Sequence, residues 1–157
     1  MIRRIMFILA IILGLIIIAL LVFEWRTIKA EKDPRQREFT NGHLPDPLPD
    51  GFYNGVVRGY TGSWIGKTFN LAATTGINNF SDGNTLYPFA FYPGTGLRDP
   101  NTSVLKIDYN QPGNSFWIRM VVDEVVETQP GAYLGKIQLR LLGFHFTLGY
   151  FTLNKSQ

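Results

Sequence analysis

Ser103-Val104-Leu105-Lys106-Ile107-Asp108-Tyr109 alternates apolar and polar side chains, and further runs as far as Leu153 repeat the pattern between turn clusters. A period of two marks a half-buried strand. Asn110-Gln111-Pro112-Gly113-Asn114 ends the first run, Gln129-Pro130-Gly131 the second and Gly143 the third. The second run, Phe116 to Glu127, puts Phe116, Ile118, Met120, Val122, Glu124 and Val126 on one face. In the third, Tyr133, Gly135, Ile137, Leu139 and Leu141 share a face; in the last, Phe144, Phe146, Leu148 and Tyr150 do. Matching apolar faces sets Ile107 opposite Ile118, Leu105 opposite Met120, Val122 opposite Ile137 and Leu139 opposite Leu148. A slip of one residue would turn a whole face to water. The reverse face carries Lys106, Asp108, Arg119, Asp123, Lys136, Gln138, Arg140 and His145, which suits water, and sets Asp108 diagonal to Arg119.

Glu124 breaks the apolar face, opposite Gly135 in this register. A buried carboxylate is costly unless it is paired or protonated. It is either a wet residue at an open rim or a polar anchor that orients a ligand inside a cavity. Trp64, Phe89, Tyr109, Met120 and Tyr133 complete the expected ligand-binding lining.

Working upstream, Thr85 to Tyr92 reads as an aromatic strand with Tyr87, Phe89 and Phe91 on one face, and Pro88 asks for an edge or a bulge. Asn78 to Asn84 reads as a polar loop. Phe52 to Tyr60 reads as a strand weakened by Gly55 and Gly59. Between them, glycines on both sides of Trp64 suggest backbone packed against a large ring. Gly66-Lys67-Thr68 ends like a phosphate loop, but Thr61 stands where that loop needs glycine. Seven or so antiparallel strands with one apolar face must hide it, and closure into a barrel does so while removing edges. The expectation is an all-β fold: a small antiparallel meander barrel over residues 51–157.

Ile5 to Phe23 is an uncharged apolar run, long enough at about 1.5 Å per residue to cross a hydrocarbon core. Arg3 and Arg4 precede it and Trp25 follows at the interface. It reads as an uncleaved transmembrane helix after a cytoplasmic tail at residues 1–4. Residues 24–50 read as a helical extension ended by Asp33-Pro34, then an extended proline-rich tether from His43 to Gly51. The expected location is a bacterial inner membrane, single-pass, with the barrel periplasmic, although the downstream Lys/Arg count points the other way.

The chain has no cysteine, which excludes disulfides, thiolate metal sites and cysteine nucleophiles. Residues 1–40 hold seven Lys/Arg against four Asp/Glu; the remainder holds eight of each. A neutral barrel carries no nucleic-acid footprint. No metal-ligand spacing or Ser-His-Asp order is visible. His43 stands alone, and Asp108, Asp123 and His145 alternate outward, so no catalytic set, metal or cofactor is expected.

Gly62-Ser63-Trp64-Ile65-Gly66-Lys67 resembles the GxWxG-type signature, and Gly62-Ser63-Trp64 the shorter lipocalin Gly-x-Trp. Tyr133-Leu134-Gly135-Lys136 and Leu148-Gly149-Tyr150-Phe151-Thr152-Leu153 are similar to the closing strands of such lipocalin-like domains. The resemblance implies a calycin-like barrel that holds an apolar small molecule. Three functions follow as expectations: a membrane-anchored module binding an apolar molecule or lipid at the bilayer surface; a filled barrel that binds a membrane protein partner; and, last, an enzyme.

Overall fold

Each run of alternating residues pairs with the next along the chain, and the last returns to the first. The structure is a computed structural model that describes residues 2–156. Eight antiparallel strands close in sequence order into an up-and-down barrel. They are β1 (Gly51–Val56), β2 (Trp64–Asn70), β3 (Thr75–Phe80), β4 (Thr85–Thr95), β5 (Ser103–Asp108), β6 (Val121–Gln129), β7 (Ala132–Leu141) and β8 (Phe144–Lys155). Two helices precede them, α1 (Ile2–Ala30) and α2 (Pro34–Asn41). α1 is long and apolar enough to cross a membrane. Pro34 cannot continue it, so the chain restarts with Asp33 as N-cap, its carboxylate accepting from the Arg35 amide at 3.0 Å.

The meander is as expected, but its phase is not. β6 begins at Val121, not Phe116, because residues 109–117 are a loop held by Asn114, which donates to the Pro88 and Tyr109 carbonyls. Ile107 therefore pairs with Asp123 rather than Ile118, and Leu105 with Val125 rather than Met120. Across β6–β7, Ile137 pairs with Asp123 rather than Val122, and Glu124 faces Lys136 rather than Gly135. A one-residue slip turns the face over. Asp123 and Val125 point inward; Val122, Glu124 and Val126 point outward. On β7–β8 a bulge at Leu148 reverses the phase again, so Phe151 and Leu153 face the core while Tyr150 packs outside with Phe39, Val126 and Leu134. Asn78 to Phe80 is not loop; it is the end of β3, with Asn78 4% exposed inside the barrel. Pro88 does sit at a bulge: Leu86 pairs with Asn78 and Phe89 with Gly76, and Asn78 donates to the Tyr87 carbonyl at 3.1 Å in place of a ladder bond.

The barrel has a packed half and a hollow half. Tyr53, Phe69, Phe91, Leu105, Val125, Tyr133 and Leu153 fill the end where β1 begins. Phe69 meets Tyr53, Phe89 and Phe91 edge-on at 5.3–5.6 Å, the preferred geometry for aromatic pairs. Tyr53 and Tyr133 share a hydroxyl contact at 3.4 Å, and burial raises the Tyr133 phenol above its ordinary range. The proline-rich segment is not a free spacer. His43 bridges to Glu127 by two backbone hydrogen bonds, and Leu44 and Leu48 close this end of the core.

The outer face of β5–β8 is covered rather than wet. The end of α1, α2 and residues 96–102 lie over it, leaving Glu124, Lys136 and Gln138 wholly buried. Buried charge demands partners, and each has them. Lys136 pairs with Glu31 and Asp99 at 2.8 Å; Glu124 accepts from Lys106 at 2.9 Å and from the Leu97 amide at 2.6 Å. Asp108 pairs with Arg140 at 2.8 Å, not with Arg119. Arg98 ties α1 to the sheet, pairing with Glu24 and Glu31 and donating to the His145 carbonyl at 3.0 Å. β8 meets β1 only over residues 152–155. Beyond that, Thr27 of α1 completes the open edge, its hydroxyl accepting from the Thr147 amide at 3.0 Å. Arg98→Ala is expected to loosen α1 by about 1–2 kcal/mol, in line with partly exposed charged hydrogen bonds. The readout is hydrogen exchange: the Thr147 amide loses protection while Leu105 and Ile107 keep theirs.

Candidate functional site

The hollow half opens at the end where β1, β3, β5 and β7 finish. Its cavity of about 330 Å³ lies at the small end of the roughly 300–1,000 Å³ of ligand sites. The walls are apolar: Trp64, Phe80, Ile118, Val121, Ile137 and Phe151, with Val57, Tyr60 and Tyr87 at the mouth.

Its floor is polar and assembled from β2, β3, β6 and Tyr109, the first residue after β5. Lys67 of β2 shares the inward phase with Phe69, so its ammonium lies inside the barrel at 3% exposure. There it pairs with Asp123 Oδ2 at 3.0 Å, donates to Asn78 Oδ1 at 2.9 Å and donates to the Tyr109 hydroxyl. The Tyr109 hydroxyl in turn donates to Asp123 Oδ2 at 3.0 Å, and the Trp64 indole donates to Asn78 Oδ1 at 2.9 Å. The rings of Trp64, Phe89, Tyr109 and Phe151 surround the ammonium at 5.1–5.5 Å. Cation–π attraction at this range favours the charged form. Burial lowers the Lys67 pKa all the same, with Asp123 working against that shift; burial also holds the Tyr109 phenol well above its usual value. Perturbed groups in a concave site make it a candidate for function.

The bonding leaves one acceptor. Lys67 spends two hydrogen bonds on Asn78 and Tyr109 and its charge on the ion pair with Asp123. Both bonds to Asp123 end on Oδ2; Oδ1 has no hydrogen-bond partner among the described residues, yet it is not a sealed, unsatisfied atom. It therefore opens onto the cavity and can accept from a hydroxyl or amine.

Of the expected lining, Trp64 and Tyr109 stand in the wall and floor. Phe89 lies behind Tyr109, ring centres 5.7 Å apart, and Tyr133 belongs to the packed half. Met120 lies outside the cavity, in a separate cleft with Asn110, Phe116, Arg119 and Arg140. Glu124 cannot anchor anything in the barrel. It points outward and fixes residues 96–102 through the Leu97 amide. The acidic group at the floor is its neighbour Asp123. Lys67 and Asn78 join it there. The signal for Lys67 was its phase with Phe69; for Asn78, placed in a loop, there was none.

No group of three or more His, Cys, Asp or Glu with metal-binding geometry occurs among the described residues. Compared with family models, with curated proteins and with solved structures, the chain matches none. The likeness of residues 62–67 to GxWxG domains is therefore one of short motif alone.

Proposed function

We propose that the chain is a membrane-anchored binding module whose hollow half holds a small amphipathic molecule, an apolar body tipped by a hydrogen-bond donor such as a hydroxyl. The supporting observation is the apolar cavity of about 330 Å³ with a single free acceptor, Asp123 Oδ1, at its floor. Apolar walls supply affinity in proportion to the area they remove from water; one placed polar atom fixes orientation. An acidic tip would meet Asp123 at close range and be repelled, so fatty acids bind worse than the matching alcohols. In this reading α1 crosses the bilayer, Arg3 and Arg4 stay in the cytoplasm, and the barrel stands on the periplasmic side.

The test is mass spectrometry of small molecules carried by the full chain from native membranes, against an Ile137→Trp variant. The larger ring enters the cavity from β7, beside the floor carboxylate of Asp123, with which Ile137 pairs across the ladder. A species depleted several-fold in the variant supports the reading. Equal profiles in wild type, variant and a detergent blank reject it and favour a filled scaffold that binds a protein.

A further inference from the structure

We propose that the cavity-bearing end of the barrel seats in the surface of the bilayer that α1 crosses, with Phe116, Trp117, Leu142 and Phe144 entering the head-group layer. This goes beyond ligand binding and concerns the rim, not the cavity.

The direction of α1 carries the argument. Phe23 packs on Phe146 with ring centres 5.4 Å apart, Glu24 meets Arg98 where that residue holds the His145 carbonyl, Thr27 lies at Thr147, and Glu31 meets Lys136, across the ladder from Tyr150. Helix and strand thus run side by side in the same direction. Followed toward its N-terminus, α1 leaves the barrel past the β7–β8 turn, the end at which the cavity opens. Residues 2–22 project roughly 30 Å at 1.5 Å per residue, one hydrocarbon thickness. The uncharged run stops at Phe23, beside Phe146 and about 7 Å along β8 from the strand end at Phe144, so the rim reaches a little further toward the bilayer than the run's last residue. A bilayer that accommodates the run has its surface at the rim.

The rim is suited to that place. Phe116 and Trp117 are 69% and 71% exposed, Leu142 67% and Phe144 56%. They come from two separate turns at one end. Among the described residues, the turns at the opposite end expose a single large apolar side chain, Leu71 at 37%. Isolated exposed apolar residues need no explanation, but a cluster confined to one end does. Aromatic side chains favour the interface, and arginine beside them finds lipid phosphate. Arg119 adjoins Phe116 in the outer cleft, where its side chain donates to Asn110. Arg98, bound to Glu24 and Glu31, holds α1 against the sheet, so the rim keeps one orientation toward the membrane.

The cysteine-free chain makes the test clean. Single cysteines replace Leu13, Trp117, Leu142 or Gln129 in the full chain. Each carries an environment-sensitive fluorophore, and the protein is reconstituted in phosphatidylcholine–phosphatidylglycerol nanodiscs. All four positions are exposed in the isolated chain, so none endangers folding. Labels at 13, 117 and 142 are expected to emit at shorter wavelength, to be quenched by lipid-borne nitroxide and to resist aqueous iodide several-fold better than the label at 129. If the labels at 117 and 142 are quenched by iodide as readily as that at 129, the docking is refuted. An aqueous label at 13 refutes it too, because the rim then has no bilayer beside it.

Discussion

Asp123→Asn is expected to destabilise the barrel by about 3–5 kcal/mol at neutral pH, as for a buried ion pair broken by removal of one partner. Lys67 and Asp123 are 3% and 4% exposed, so water cannot replace the lost countercharge. The amide can still accept from Tyr109, and the aromatic cage still favours the cation, but neither supplies a full charge. The dependence on pH identifies the cause. Burial already lowers the Lys67 pKa below 10.5, and Asp123 opposes that shift; without Asp123 it falls further. Between the lowered value and 10.5, the unfolded chain binds more protons than the folded one, so stability rises with pH. The deficit of the variant is thus greatest on the acid side of this window and shrinks as pH rises across it. Tyr109 acts in the opposite sense. Its raised pKa contributes stability below 10 that is lost as pH climbs through the folded value, so the comparison belongs between about pH 6 and pH 9. Urea unfolding of the full chain in detergent, followed by tryptophan fluorescence, measures it. Lys67→Met combined with Asp123→Leu removes both charges and should return stability to within about 1–2 kcal/mol of wild type. A loss under about 1 kcal/mol for Asp123→Asn, with no slope, means the pair is not buried as described.

The same pair shows how far the sequence could be read. Alternation in β5 and β7 marks their inward faces, because Leu105, Ile107 and Tyr109 stand against Lys106 and Asp108, and Ile137 against Lys136 and Gln138. β6 offers no such contrast. Val121, Val122, Val125 and Val126 make both faces apolar, since one packs into the barrel and the other under α2. Only the turn could set its phase, and Phe116-Trp117-Ile118, apolar but not strand, disguised where the strand begins. That single slip put Glu124 where Asp123 stands. On β8 the extra residue at Leu148 hid a second reversal that no alternation can reveal. The helical cover was hidden for a different reason. α2 reads as polar all round, and it docks through Phe39 and through charges that find buried partners rather than through an apolar stripe. Barrel closure, the long apolar helix and the bulge at Pro88 were legible because each rests on a local rule.

Gly66→Ala should cost about 4 kcal/mol or more, which few single changes reach without both strain and overpacking. Gly66 has φ of +148° in the bulge between Trp64 and Gly66, a backbone region that side chains rarely enter. A Cβ there would lie 2.0 Å from the Tyr53 carbonyl oxygen and 3.0 Å from the Gly55 nitrogen. Both are backbone atoms of the neighbouring strand, so no rotamer change relieves the contact, and β1 and β2 must part where they frame the cavity. The motif that prompted the lipocalin likeness misplaces this demand. Gly62 lies in an exposed bend, where the atoms nearest to a Cβ belong to the flexible Tyr60 side chain. The glycine facing the Trp64 ring is Gly55, across the ladder, where a Cβ would lie 2.2 Å from the ring. Gly62→Ala should therefore cost within about 0.5 kcal/mol once Tyr60 turns aside. Gly59→Ala, in open space at φ of +80°, should cost about 1–2 kcal/mol for the left-handed backbone alone. Urea midpoints of the three variants are thus ordered Gly62, Gly59, Gly66 from mildest to most severe. Were Gly62→Ala as damaging as Gly66→Ala, the bend and not the bulge would hold Trp64, and the wall of the cavity would rest on a contact other than the one described.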